Sequence, residues 1–103
     1  MKIVRVQYTT THQYAATNAE NISAVVAELR KIDHPGIQYS CYLMADGKTF
    51  MHFDQFENEE AHQVLQSLES FKKFSAQLWG SKLEVEPALE LLSLIASSED
   101  FFK

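Results

Sequence analysis

Two alternating runs, IQYSCYLM and TFMHFDQF, flank the tetrapeptide ADGK, and this stretch limits the possible fold more than any other. The two-residue period marks both runs as strands, Ile37 to Met44 and Thr49 to Phe56. Asp46 and Gly47 between them are a strong two-residue hairpin signal, so the strands pair antiparallel. A helical pattern precedes this hairpin and another follows it. In TNAENISAVVAELRKI, Thr17 and Glu20 have capping-box spacing ahead of Ile22, Val25, Val26 and Leu29, and Pro35 and Gly36 end the segment. After the hairpin, Asn58 caps a helix whose first turn carries Glu59 and Glu60 and whose buried stripe is Ala61, Val64, Leu65 and Leu68.

The period slips around Glu69 and Ser70. Ser70 is therefore expected to cap a second short helix containing Phe71, Phe74 and Leu78, which Gly80 stops. At the ends of the chain, Val4, Val6 and Tyr8 alternate with polar residues in a strand from Lys2 to Thr9. SKLEVEP reads as a polar connector, and ALELLSLIA as the last strand, although Leu89, Leu91 and Leu92 also suit a short helix. The order predicts an α+β, ferredoxin-like βαββαβ domain over residues 1–103, a four-stranded antiparallel sheet with its helices on one face. The other face is not cleanly polar either, since Tyr39 or Tyr42, Met51 or Phe50, and Leu89 or Leu92 fall on it, which predicts a homodimer through the sheet face.

Bulk properties exclude several classes of function. A net charge of -5 with dispersed Lys and Arg argues against nucleic acid as a partner. One cysteine, Cys41, permits no intrachain disulfide and suits a reducing, cytoplasmic compartment. No apolar run has membrane-spanning length, and Arg5 and Gln7 interrupt the N-terminal stretch that a signal peptide would need. Nucleophile, phosphate-loop and dinucleotide motifs are absent from the sequence, and the four histidines lack metal-ligand spacing, so no metal is expected.

Chemistry concentrates in the third strand, where period two puts Phe50, His52, Asp54 and Phe56 on one face. Histidine suits proton abstraction near neutral pH. The plainer role for such a residue on a half-buried strand is a hydrogen-bonded packing group. Asp54 can orient His52 if their side chains converge, yet near a strand end it can equally face water or the next helix's N-terminus. His62 begins that helix and either reaches a pocket mouth or lies in solvent. Tyr8, Tyr39 and Tyr42 can bind a hydroxyl while packing their rings, and Trp79 is a lid or packing residue. His12 and Tyr14 lie on a connection, and His34 in a turn.

The element order and the third strand resemble the antibiotic-biosynthesis monooxygenase-like group of dimeric α+β barrel proteins, over nearly the whole chain. Polyketide-modifying members read Asn, three residues, Trp, five residues, Tyr across this strand and the next helix, a spacing held here by His52, Phe56 and His62. DQFENEEAH also follows the family's habit of an aromatic residue, an acidic capping turn and a helix beginning with alanine. This chain has Leu43 or Met44 where some monooxygenases place a second-strand histidine, and Leu65 where other members carry one on the second helix. Leucines around Leu89 replace the axial histidine of the haem-degrading branch.

The resemblance implies a pocket between sheet and helices for a small apolar or aromatic ligand. It implies oxygenation of a small aromatic or quinol without metal or flavin, with His52 as candidate base and Asp54 as a weaker candidate. Tyr8, Phe50, Phe56, His62 and Trp79 would bind substrate. The alternatives on this scaffold are a noncatalytic ligand-binding or stress-response protein, and an isomerase.

Overall fold

The computed structural model describes residues 1–102 and has the expected α+β architecture. Its elements are β1 (Lys2–Thr9), α1 (Ala15–Ile32), β2 (Ile37–Leu43), β3 (Thr49–Phe56), α2 (Glu59–Ser67), α3 (Glu69–Gly80) and β4 (Val85–Leu92). The strands form one antiparallel sheet in the order β2-β3-β1-β4. Register assigns the faces: Val4 opposes Asp54, Val6 opposes His52 and Tyr8 opposes Phe50. Val4, Tyr8, Phe50 and Phe56 pack in one cluster with Ile22 and Val25 of α1, Ala61 and Leu65 of α2, and Phe74 and Leu78 of α3. The helices therefore cover this face of the sheet, as the alternation of β1 and β3 requires.

Several local boundaries differ from expectation, each because a tertiary or backbone partner overrides a short motif. Helix α1 starts at Ala15, which places Thr17 and Glu20 inside it instead of at its cap. The start is set by Tyr14, whose N–H bonds both the carbonyl and the hydroxyl of Thr11. The hairpin is longer than two residues: Met44 N–H bonds the Thr49 carbonyl at 2.8 Å, enclosing residues 45–48. Asp46 Oδ1 accepts the Lys48 and Thr49 N–H groups, and Gly47 takes φ 75°, where a side chain would be strained.

Helices α2 and α3 are separated by Leu68, whose φ of -68° and ψ of 135° are extended backbone. Ser70 lies in the first turn of α3 and is not its cap. Its N–H and Oγ donate to Glu28 Oε1 at 3.3 and 2.6 Å, so a carboxylate on α1 satisfies the head of α3. Val85, Glu86 and Pro87, read above as connector, belong to β4. Proline is tolerated there because β4 is an edge strand and its pairing with β1 shifts between Gln7 and Thr9.

The opposite face carries Ile3, Arg5, Gln7, Tyr42, Met51, Phe53 and Leu92 by register. After β4 the tail reaches the far edge of the sheet, where Gln38 Nε2 donates to the Phe101 carbonyl at 3.1 Å. Tyr42 and Leu92 remain exposed. No helix among the described residues is long and apolar enough to cross a membrane.

Candidate functional site

Where β1, β3 and β2 run side by side, their helix-facing polar groups meet. His52 is buried, opposing Val6 on one side and Cys41 on the other. Its Nε2 lies 2.7 Å from the Tyr8 hydroxyl and its Nδ1 lies 3.3 Å from the Tyr39 hydroxyl. Asn18 of α1 donates its Nδ2–H to the Tyr8 oxygen at 2.8 Å. In either tautomer of the neutral ring one nitrogen donates to one of these tyrosine oxygens and the other accepts the second tyrosine's O–H, so both ring nitrogens are occupied. The imidazole also stacks on Tyr8 and packs against Phe74, with ring centroids 5.4 and 5.3 Å apart.

A cavity of about 290 Å³ opens beside this cluster. Val6, Tyr8, His52 and Asp54 form its floor on the sheet, and Phe71, Phe74, Ser75, Leu78 and Trp79 of α3 form its roof. Pro87 and Leu89 of β4 complete one side. Leu89 and Trp79 are more than half exposed, so the cavity opens to solvent between α3 and β4.

Burial dominates the electrostatics. It lowers the His52 pKa to about 4, so the imidazole is neutral at pH 7. Both tyrosine hydroxyls are pushed up by burial, and the Cys41 thiol is pushed up to about 12. Asp54 is raised by burial to about 7, and its Oδ1 is shielded from water with no hydrogen-bond partner. A buried polar atom left unpaired costs about 1–3 kcal/mol, which makes this carboxyl the costliest polar group on the cavity floor.

The structure thus brings His52, Asp54, Tyr8 and Trp79 to one cavity. His52 and Asp54 share a face without bonding to each other, because the tyrosines occupy both ring nitrogens. Phe50 lies behind Tyr8, with ring centroids 5.7 Å apart, and lines a separate surface pocket with Ile22 and Leu43. Phe56 is fully buried in the core, and His62 stacks on it at 4.5 Å with Nδ1 3.7 Å from Glu59 Oε1. This pair stands outside the cavity because α2 packs over the Phe56 end of β3 and α3 over the His52 end. His34 Nδ1 accepts the Gly36 N–H, and Tyr42 faces the uncovered side of the sheet. Among the described residues no three His, Cys, Asp or Glu side chains gather as metal ligands.

Asn18 and the part played by Tyr39 were not singled out from the sequence. A signal for Asn18 exists: it shares helical spacing with Ile22, Val25 and Leu29, and a polar residue in a buried stripe needs a partner.

Comparison with solved structures gives close agreement of backbone path. A crystal structure titled antibiotic biosynthesis monooxygenase superposes with a TM-score of 0.77 at 12% identity, over 93% of this chain and 100% of that one. The chain has the antibiotic-biosynthesis-monooxygenase-like fold. Rv0793 from Mycobacterium tuberculosis matches with a TM-score of 0.77 at 17% identity, over 95% of this chain and 98% of that one. PA3566 from Pseudomonas aeruginosa gives 0.75 at 22% identity, over 92% and 94%. No family model matches the sequence, and no curated protein matches it significantly. Within this monooxygenase-like fold, the cavity described above sits between α3 and the strands β3, β1 and β4.

Proposed function

We propose that this chain is a cofactor-independent monooxygenase acting on a small aromatic or quinol substrate. The observation that carries the reading is the cavity itself, an apolar, aromatic-roofed space whose floor holds His52 and Asp54, two groups able to take a proton. A cavity of roughly 150 Å³ holds one benzene, so about 290 Å³ suits one or two fused rings. Removing the proton of a phenol yields an electron-rich anion that transfers electrons directly to O2. One oxygen atom then bonds to a ring carbon and the other leaves as water: a phenol plus O2 gives a quinone plus H2O, with the substrate as sole reductant. The apolar roof favours this chemistry by excluding water from the anion and the peroxide that follows it.

The same reading includes a homodimer through the sheet face that the helices leave open. Tyr42, 55% exposed, stands there beside Met51 and Phe53, an apolar group that a second copy would bury.

Oxygen uptake by metal-free protein with a panel of quinols and two-ring phenols tests the activity, with Ser75→Phe, which fills the cavity, as the comparison. The native chain is expected to consume one O2 per quinone formed and the variant to consume little. Binding without uptake across the panel would reduce the chain to a ligand-binding protein and overturn the oxygenase reading.

A further inference from the structure

Resting on the cavity reading above, we infer that Asp54, and not His52, accepts the acidic hydrogen of the bound molecule, that His52 is a positioning residue, and that the ligand is a hydroxylated aromatic of one or two rings presenting its O–H to Asp54.

The argument begins with lone pairs. A neutral imidazole has one acceptor nitrogen. In His52 that nitrogen is already occupied in either tautomer, by the Tyr8 hydroxyl at Nε2, 2.7 Å away, or by the Tyr39 hydroxyl at Nδ1, 3.3 Å away. The other nitrogen gives its proton to the remaining tyrosine oxygen. Taking a proton from a ligand would require His52 to break a buried hydrogen bond and to gain a charge in an apolar site. What the arrangement does achieve is to fix the Tyr8 ring and the imidazole as a rigid part of the floor, packed under Phe74.

Asp54 is in the opposite condition. It is 8% exposed, lines the same cavity, and its Oδ1 has no donor. Its neighbours across the sheet are Val4 and Tyr39. A ligand O–H in the cavity supplies the donor this carboxyl lacks, at Oδ2 or at Oδ1 after a small rotation of the side chain, and when Asp54 is ionised that bond is charge-assisted. Among the described residues no Lys or Arg lines the cavity, so once Asp54 is ionised a carboxylate or phosphate would meet an uncompensated like charge there. The site therefore selects neutral hydroxylated rings against anionic ones.

The titratable groups facing Asp54 are Tyr8 on β1, Tyr39 and Cys41 on β2, and His52 on β3 itself; the sides given by α3 and β4 carry none. Burial keeps all four neutral through the range in which Asp54 ionises, the histidine because its pKa is lowered and the others because theirs are raised. A pH effect on ligand binding near neutrality therefore belongs to Asp54.

Trp79 is the only tryptophan and lines the cavity, so its fluorescence reports occupancy without turnover. The experiment titrates 2-naphthol, neutral over the range used, into oxygen-free native protein, Asp54→Asn and His52→Gln, from about pH 5.5 to about 8.5. Native affinity should rise about tenfold as pH passes about 7, the gain expected when a neutral hydrogen bond becomes charge-assisted. Asp54→Asn should stay flat at the low-pH affinity. His52→Gln should bind more weakly but keep the step, and Tyr39→Phe, a milder change to the same network, should keep it too. Naphthalene-2-carboxylate should bind more weakly as pH rises through about 7, the opposite trend to 2-naphthol.

Absence of binding, a flat native profile, or a step that survives in Asp54→Asn would overturn the assignment. A step lost in both His52→Gln and Tyr39→Phe would transfer the role to His52. An intact step without oxygen uptake overturns the oxygenase reading and leaves Asp54 as the ligand's anchor. Uptake with a flat profile overturns this inference alone.

Discussion

Replacing Asp54 by Asn removes the ionisable group from the cavity floor while keeping its shape. In the folded chain burial raises the Asp54 pKa from 3.8 to about 7. Between those values the native state holds one proton more than the unfolded state, so this group makes stability fall by about 1.4 kcal/mol per pH unit as pH rises. Its contribution is fully present below the unfolded pKa and is lost as pH rises through the folded one. His52 runs the other way. Burial lowers its pKa from 6.5 to about 4, so the unfolded chain holds the extra proton and stability is lost as pH falls through that window.

In the native chain the two slopes offset each other from about pH 4 to about 6.5. The variant loses only the falling slope. Its stability relative to the native chain should therefore climb by about 2 kcal/mol between about pH 5 and about 6.5. Urea unfolding at closely spaced pH values, followed by Trp79 fluorescence, measures both curves, and their difference cancels every group that the substitution leaves alone. A difference that does not change with pH would refute the reasoning. It would mean that the folded chain holds Asp54 ionised and partnered at low pH, so that the carboxyl is not the unpaired group on which the site rests.

Glu28→Ala removes the acceptor for both Ser70 donors at the head of α3 and should cost about 1 kcal/mol in thermal or urea unfolding, the usual loss for a helix cap. A change within error would show that water replaces the carboxylate at no cost. Phe53→Lys puts a charge on the uncovered face of the sheet, where Phe53 opposes Arg5 and Ser40. Sedimentation at micromolar concentration should find a dimeric native chain and a monomeric variant with unchanged circular dichroism. A monomeric native chain would refute the dimer.

Much of the fold was legible because its signals are local. Alternation in β1, β2 and β3 reports which side chains share a face, and the stripe through Ile22 and Val25 marks the side of α1 that is buried. Less was legible at boundaries. Thr17 and Glu20 have the spacing of a cap, but Thr11 supplies the groups that start α1 three residues earlier. Ser70 looks like a cap for α3, but a carboxylate from another helix serves that end. Competing partners of this kind leave no mark at the motif itself.

The site divides along the same line. The sequence by itself determined that His52 and Asp54 point the same way, since two residues on one strand must do so. It equally determined that Phe56 shares their face, although α2 rather than α3 covers it. Only the tertiary structure decided what each group touches. Tyr8 and Tyr39 arrive from two other strands and Asn18 from a helix, and together they fill the hydrogen-bonding capacity of His52. Asp54 meets Val4, Tyr39 and an apolar roof, and one of its oxygens is left without a donor. The physical reason is that periodicity sets direction along one element, whereas hydrogen bonds and burial, and with them the pKa of a buried group, depend on elements far apart in the chain.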